Sequence, residues 1–280
     1  MSMFKRVKET LSNHPIYYFT LVFLLLLVIL SLAAPLIPID PKLTDVGAAS
    51  QTPSLRHIFG TDEVGRDYFI RVIYGGRISL LVGILAMITS VFIGTIIGIA
   101  AGFVGGWLDD ILMRIVDVLS AIPWMVLVIV LSVFLKPGLS TLVIVIGGFS
   151  WMSIARLLRA ETMAAKEREY VEYAQFIGES QLKLILRHVL PQILPTMIVA
   201  ATMSISSAIM TESALSFLGL GIQQPNASWG SLLQNAQSSL QRAPYMAILP
   251  GIFVALTVFS FNQLGDFLRV ILLREDEKND

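Results

Sequence analysis

Reactive side chains are few in this chain, and their spacing does not assemble a catalytic site. There is no cysteine, so thiolate chemistry and disulfides are excluded. His14, His57 and His188 are scattered, and no pair has metal-ligand spacing. Gly60 and Gly65 stand at the spacing of a phosphate-binding loop. Such a loop next needs a lysine for the phosphates and a Ser or Thr for magnesium; Arg66 and Asp67 follow instead, and no strand precedes. A Gly-x-Ser-x-Gly nucleophile elbow is also missing. The expectation is a chain with no catalytic residue, no metal and no cofactor of its own. Its chemistry would be that of contact and movement.

The residues best suited to contact lie between Lys166 and Thr196, the longest charged island between the hydrophobic runs of the second half. Tyr170, Tyr173, Ala174 and Ile177 fall at i, i+3, i+4 and i+7, one face of a short helix. Gly178 interrupts, and Ser180 is placed to cap a second helix whose Leu182, Ile185, Leu186 and Val189 again share a face. The pattern predicts two short amphipathic helices bent at a glycine, with two apolar faces to bury. A helix resting on lipid headgroups would carry the same amphipathicity. Only residue identity separates the two.

A second set of residues could line a polar path. Ser204, Ser207 and Thr211 recur at i, i+3 and i+7 on an otherwise apolar helix, which serves either a pathway or ordinary helix packing. Glu212 follows directly. An ionised carboxylate is costly in hydrocarbon, so it is expected to face a cavity or the outer surface.

These residues need membrane helices to position them. Hydrophobic residues make up 55% of the chain and charged ones 14%, and the apolar residues come in blocks, as in a polytopic membrane protein. Net charge is zero without a basic tail, which argues against a nucleic-acid partner. The run from Ile16 to Leu32 follows Lys5, Arg6 and Lys8. It exceeds a signal-peptide core of roughly 7 to 15 residues, so a retained anchor is expected. Five further runs approach the roughly 20 residues that cross a bilayer: 78–103, 111–135, 139–154, 193–211 and 247–270. Of the 20 Lys and Arg residues, 13 fall on the side of the N-terminus if all six runs span, and the dense island is among them. Both termini and the island are therefore expected in the cytoplasm. The implied division is an anchor with an extracellular segment (1–77), a core membrane domain (78–274) and a cytoplasmic tail (275–280).

Local features give further expectations. Asp67 is an N-cap for the helix that follows. Ala86, Ser90, Gly94, Gly98 and Gly102 form a stripe of small residues, suited either to a second subunit or, as expected here, to burial in the chain's own bundle. Asp109 and Asp110 suit a helix start. Pro123 is expected to kink the third span, and Arg114 to pair with Asp110 and Asp117.

Glu172-x-Ala174, Gly178 and Leu190-Pro191 resemble the EAA loop of ABC-importer membrane subunits. Tyr173 stands where the family has an alanine and His188 where many members have an aliphatic residue; both would enlarge the docking knob. Gly60-Thr-Asp-x-x-Gly-Arg-Asp67, Glu212-x-x-Leu215-Ser-Phe-Leu-Gly-Leu-Gly221 and Ser228-Trp-Gly230 resemble the oligopeptide and dipeptide permeases, although Ala227 replaces a frequent proline. The resemblance implies an all-α membrane protein with six transmembrane helices in the type I ABC importer fold, its coupling helix between spans 4 and 5. It assigns Tyr170, Glu172, Tyr173, Ala174, Ile177, Gly178, Leu190 and Pro191 to ATPase coupling. It further implies a bacterial plasma-membrane permease for peptides, or alternatively for nickel, metal chelates or glutathione. The implied partners are a homologous second permease subunit, two ATPase subunits that bind ATP and Mg, and an extracellular substrate-binding protein. The rival is an ATP-independent carrier or channel. Carriers place ionisable groups near the midplane, and the central thirds of the six runs hold none.

Overall fold

The computed structural model describes residues 3–272; the tail at 275–280 lies outside the described residues. Among these residues the only regular structure is helical. A short helix α1 (Met3–Asn13) precedes α2 (Pro15–Ala33). An irregular segment then leads to α3 (Tyr68–Val104), whose 37 residues extend about 55 Å. The Asp67 carboxylate accepts from the Ile70 N–H and caps α3, as its sequence position predicts. Position 77/78 lies inside this helix.

The third hydrophobic run is broken. α4 (Gly106–Ala121) and α5 (Trp124–Phe134) meet at Pro123 with a bend of 76°. Proline cannot donate to the helix ladder and disfavours helical backbone before it, so Ile122 is extended and the helix stops. Five other helices or helix runs are long and apolar enough to cross a membrane, and the bent pair makes a sixth.

α6 (Leu139–Lys166) packs along α3. The small-residue stripe makes this approach: a Cβ on Gly98 would lie 2.7 Å from the Ala155 carbonyl, and one on Gly102 2.6 Å from that of Arg159. Dispersion between closely apposed backbones replaces the hydrophobic drive that lipid does not supply. α7 (Glu169–Phe176) follows, then α8 (Gln181–Leu184), α9 (Leu190–Phe217), α10 (Trp229–Ala236) and α11 (Tyr245–Leu272).

The second half of the expected elbow is not a separate helix. α8 runs through a wide turn at Ile185–Val189 straight into α9, one apolar rod from Gln181 to Phe217. Pro191 withholds an N–H and crowds the carbonyl four residues earlier, and there the Leu190 N–H reaches back five residues to the Ile185 carbonyl. Ser180 sits at the start of α8 but makes no side-chain cap.

The charge pairing of α4 also differs from the local expectation. Asp117 pairs with Arg156 of α6 at 3.0 Å, and Asp109 binds the guanidinium of Arg159. Arg159 reaches Asp109 with two nitrogens, the fork geometry that favours arginine on carboxylate, while Arg156 reaches Asp117 with one and shares it with Ser120.

Candidate functional site

At one end of the bundle, Val171 and Ala174 of α7 are buried against Ile99 and Phe103 of α3, Ala165 of α6, and Leu184, Val189 and Ile193. Leu190 packs partly against the same cluster. Lys166 donates to the Phe103 carbonyl at 2.7 Å, satisfying one of the open acceptors at the end of α3. The elbow is thereby fastened to three spans at once.

The face that α7 buries is not the one the aromatic spacing implied. Tyr170 and Tyr173 are exposed, and so are Phe176 and Ile177, so i, i+3, i+6 and i+7 form an apolar ridge pointing away from the chain. Phe176 is 89% exposed, the most exposed member of this ridge. Both faces of α7 are apolar, and periodicity alone cannot say which one faces inward. Glu172 is exposed, as is Pro191 at the start of α9.

Gly178 shapes the bend. Its φ is +87°, a region in which a side chain costs about 1–2 kcal/mol. The Gly178 N–H donates to the Gln175 carbonyl and the Glu179 N–H to that of Ala174, the paired bonds of a Schellman helix end. Beyond the bend, Glu179 accepts from Lys183 at 2.7 Å and faces His188 Nε2 at 2.8 Å. His188 thus ties the elbow together instead of enlarging its exposed ridge. The Lys183 hydrogen bond, aided by His188 and opposed by desolvation, holds the Glu179 carboxyl below the usual carboxylate range.

The second site is a cavity of about 710 Å³ between the α4–α5 break, α6 and α9. Ser204, Ser207 and Thr211 line it, so the hydroxyl stripe of α9 does meet open space. Ser120, Ser153 and Arg156 add polar groups from the facing helices. Arg156 was missed by sequence because the fourth span was ended at Ile154; the helix continues to Lys166 and carries the guanidinium into the cavity wall.

Glu212 does not line that cavity. It is fully enclosed, contrary to the expectation that it faces a cavity or the outer surface. Ser79 of α3 donates to its Oε2 and Ser216 to its Oε1, both at 2.7 Å. Ser79 in turn accepts from the Trp229 N–H, and Trp229 Nε1 donates to the Val72 carbonyl. Glu212 thus joins α3, α9 and α10, with hydroxyl partners in place of water. At this same end Gln223, Gln224, Gln234, Asn235 and Glu63 line a cavity of about 880 Å³ that no sequence pattern disclosed. Its amides come from the loop after α9 and from α10.

The loop at Gly60–Asp67 is closed on itself. The Val64 and Arg66 N–H groups that an oxyanion would need are given to the Asp62 carboxylate, at 3.0 and 2.9 Å.

Comparison with known proteins decides the family. The family described as binding-protein-dependent transport system inner membrane component matches residues 94–275. The chain belongs to this family. It is a multi-pass permease subunit of an ABC importer, a non-catalytic membrane component that works with other transporter subunits. It is 38% identical to the oligopeptide transport system permease protein OppC of Haemophilus influenzae, over 98% of this chain and 89% of that protein. It is 41% identical to the dipeptide permease DppC of Bacillus subtilis, over 78% and 68%. The glutathione permease GsiD of Pectobacterium atrosepticum is 40% identical over 88% of this permease and 82% of its own length. The fold matches a chain of the inward-facing MetNI methionine ABC transporter with a TM-score of 0.56 and 16% identity, covering 71% of this chain and 97% of that one. The architecture is the all-α type I importer fold.

Proposed function

We propose that this permease forms half of the translocation pathway of an ATP-driven importer of oligopeptides or dipeptides and transmits the ATPase stroke through α7. The observation that carries the reading is the ridge of Tyr170, Tyr173, Phe176 and Ile177, apolar and exposed on a helix anchored to three spans. A ridge of this kind fits a cleft in a partner, and exposed aromatics are the residues that anchor such contacts. The lysines and arginines clustered around it favour the cytoplasmic side, with both termini there and the far end extracellular.

In this reading two ATPase subunits bind ATP and Mg and carry out hydrolysis, while this chain contributes no cofactor site. Closure of the ATPase pair moves α7. Through Val171 and Ala174 the movement passes to α3, α6 and α9. A homologous second permease subunit completes the pathway lined here by Ser204, Ser207, Thr211 and Arg156. An extracellular binding protein delivers the cargo to the far end, beside the amide-rich cavity, whose donors and acceptors match peptide groups. Glu212 serves this pathway from behind, as the joint that holds α9 against α3. The relatives that carry glutathione support a second cargo, itself a short peptide.

Uptake of labelled oligopeptide and glutathione in a bacterial plasma membrane tests the proposal, with and without co-expressed ATPase subunits. Loss of uptake without them is expected; persistent uptake would refute ATP coupling. The chain has no cysteine, so Tyr173→Cys gives a unique crosslinking position. A crosslinker there should capture an ATPase subunit, and failure to do so in transporting membranes would refute the docking role of α7.

A further inference from the structure

We propose that a cavity at the end of the bundle opposite α7 binds the phosphate of an anionic lipid headgroup, held by Lys42, Arg71 and Arg77. The cavity measures about 300 Å³ and lies between Pro41–Lys42, the first turns of α3 and the loop at Pro225–Ala227. Three basic side chains line it, and no carboxylate does.

Arg71 is the decisive residue. It is 1% exposed, and its Nη2 has no hydrogen-bond partner among the described residues. Its Nη1 donates to the Pro41 carbonyl at 3.3 Å. Its Nε lies 3.3 Å from Asp62 without forming an aligned hydrogen bond. That carboxylate is already taken up by the Arg66 side chain and by two backbone N–H groups. A buried guanidinium with an unused donor is unfavourable unless an acceptor reaches it, and a phosphate oxygen supplies one in a charge-assisted hydrogen bond. Lys42 and Arg77 are exposed at the rim and form no ion pair among the described residues.

The cavity changes character along α3, which argues for a lipid over a free ion. Arg71, Tyr74, Ile78 and Leu81 fall at i, i+3, i+7 and i+10 on one face of that helix and all line the cavity. The polar members come first, and the aliphatic ones lie up to about 15 Å further along the span. Leu81 is exposed where the hydrocarbon would begin. Inorganic phosphate would use the basic rim and leave the apolar wall unoccupied. A phosphodiester with its acyl chains uses both.

The test takes the assembled transporter in phosphatidylcholine nanodiscs that carry a minor fraction of photoactivatable phosphatidylglycerol. Adducts are expected on the segment from Tyr74 to Leu81. Substitution of Arg71 could impair folding, so the exposed pair is changed instead, as K42Q/R77Q. Each basic group near an anionic headgroup contributes about fivefold, so the double variant should need about 25-fold more probe lipid for equal labelling. Unchanged labelling in that variant, or none of this segment in the wild type, overturns the site. Equal labelling by a phosphatidylcholine probe overturns recognition of charge. Binding of inorganic phosphate that depends on Lys42 and Arg77, without any lipid adduct, overturns the lipid assignment in favour of a free anion.

Discussion

The carboxylate of Glu179 lies 2.8 Å from Nε2 of His188, joining the loop after α7 to the turn that begins the fifth span. Lys183 holds the same carboxylate at 2.7 Å. The elbow angle therefore rests on one acid and two bases besides its glycine. Because hydrogen bonding depresses the Glu179 pKa in the folded state, its contribution is fully present above the unfolded carboxylate value, about 4.3. It fades as pH falls through the lower folded value. A spin label on Tyr173→Cys should become more mobile in that acid range in the wild-type background. With Glu179→Gln the label should be mobile at neutral pH already and should show no acid transition there. A transition that survives the substitution would assign the effect to another group.

Gly178 sets the direction in which the chain leaves α7. Proline would fix φ near −65° and remove the N–H given to Gln175, against an observed φ of +87°. Gly178→Pro is expected to insert normally, since the spans are untouched, and to abolish uptake. Gly178→Ala has open space for its methyl group and meets only the backbone strain of about 1–2 kcal/mol. Partial uptake is the expected result. Immunoblotting of membranes beside transport assays separates insertion from coupling; full uptake by the proline variant would remove the glycine from the mechanism.

The exposed ridge predicts where partner affinity resides. Phe176→Ser and Tyr173→Ser remove large apolar side chains that this chain does not bury, so its own stability should change little. If the ridge fills a cleft, each should weaken ATPase association by about 2 kcal/mol, roughly 30-fold. Val171→Ser, on the buried face, should instead reduce the amount of folded permease. Co-purification measured against membrane levels distinguishes the two faces.

Much of this was legible in the sequence, and the exceptions have physical causes. Gly178, the stripe ending at Gly102 and Pro123 were readable because each acts through the backbone within a few residues. Asp67 was readable for the same reason, since a cap is local. The orientation of α7 was not, because this helix carries apolar residues on both faces and periodicity does not rank them. The partners of Glu212 were hidden as well: Ser79 precedes it by 133 residues, and only tertiary packing brings α3 alongside. Arg114 was assigned local carboxylates because periodicity displays neighbours along one helix. Arg156 and Arg159, on a packed neighbouring helix, took Asp117 and Asp109.

Glu212 offers the sharpest distinction between a pathway residue and a joint. Its two oxygens accept from Ser79 and Ser216, and it is fully enclosed, so substrate does not meet it in this conformation. Glu212→Ala leaves those hydroxyls without their acceptor and opens a void, at a cost of about 1–3 kcal/mol or more. Glu212→Gln keeps both acceptor and volume at one oxygen and should be milder. The expected signature is lower thermal stability of the purified complex in the order wild type, Gln, Ala, with the apparent KM for peptide unchanged in the surviving fraction. Ser207→Ala, on the cavity wall, should show the reverse: unaltered stability and a changed KM. A shift in KM for Glu212→Gln without loss of stability would return this carboxyl to the pathway.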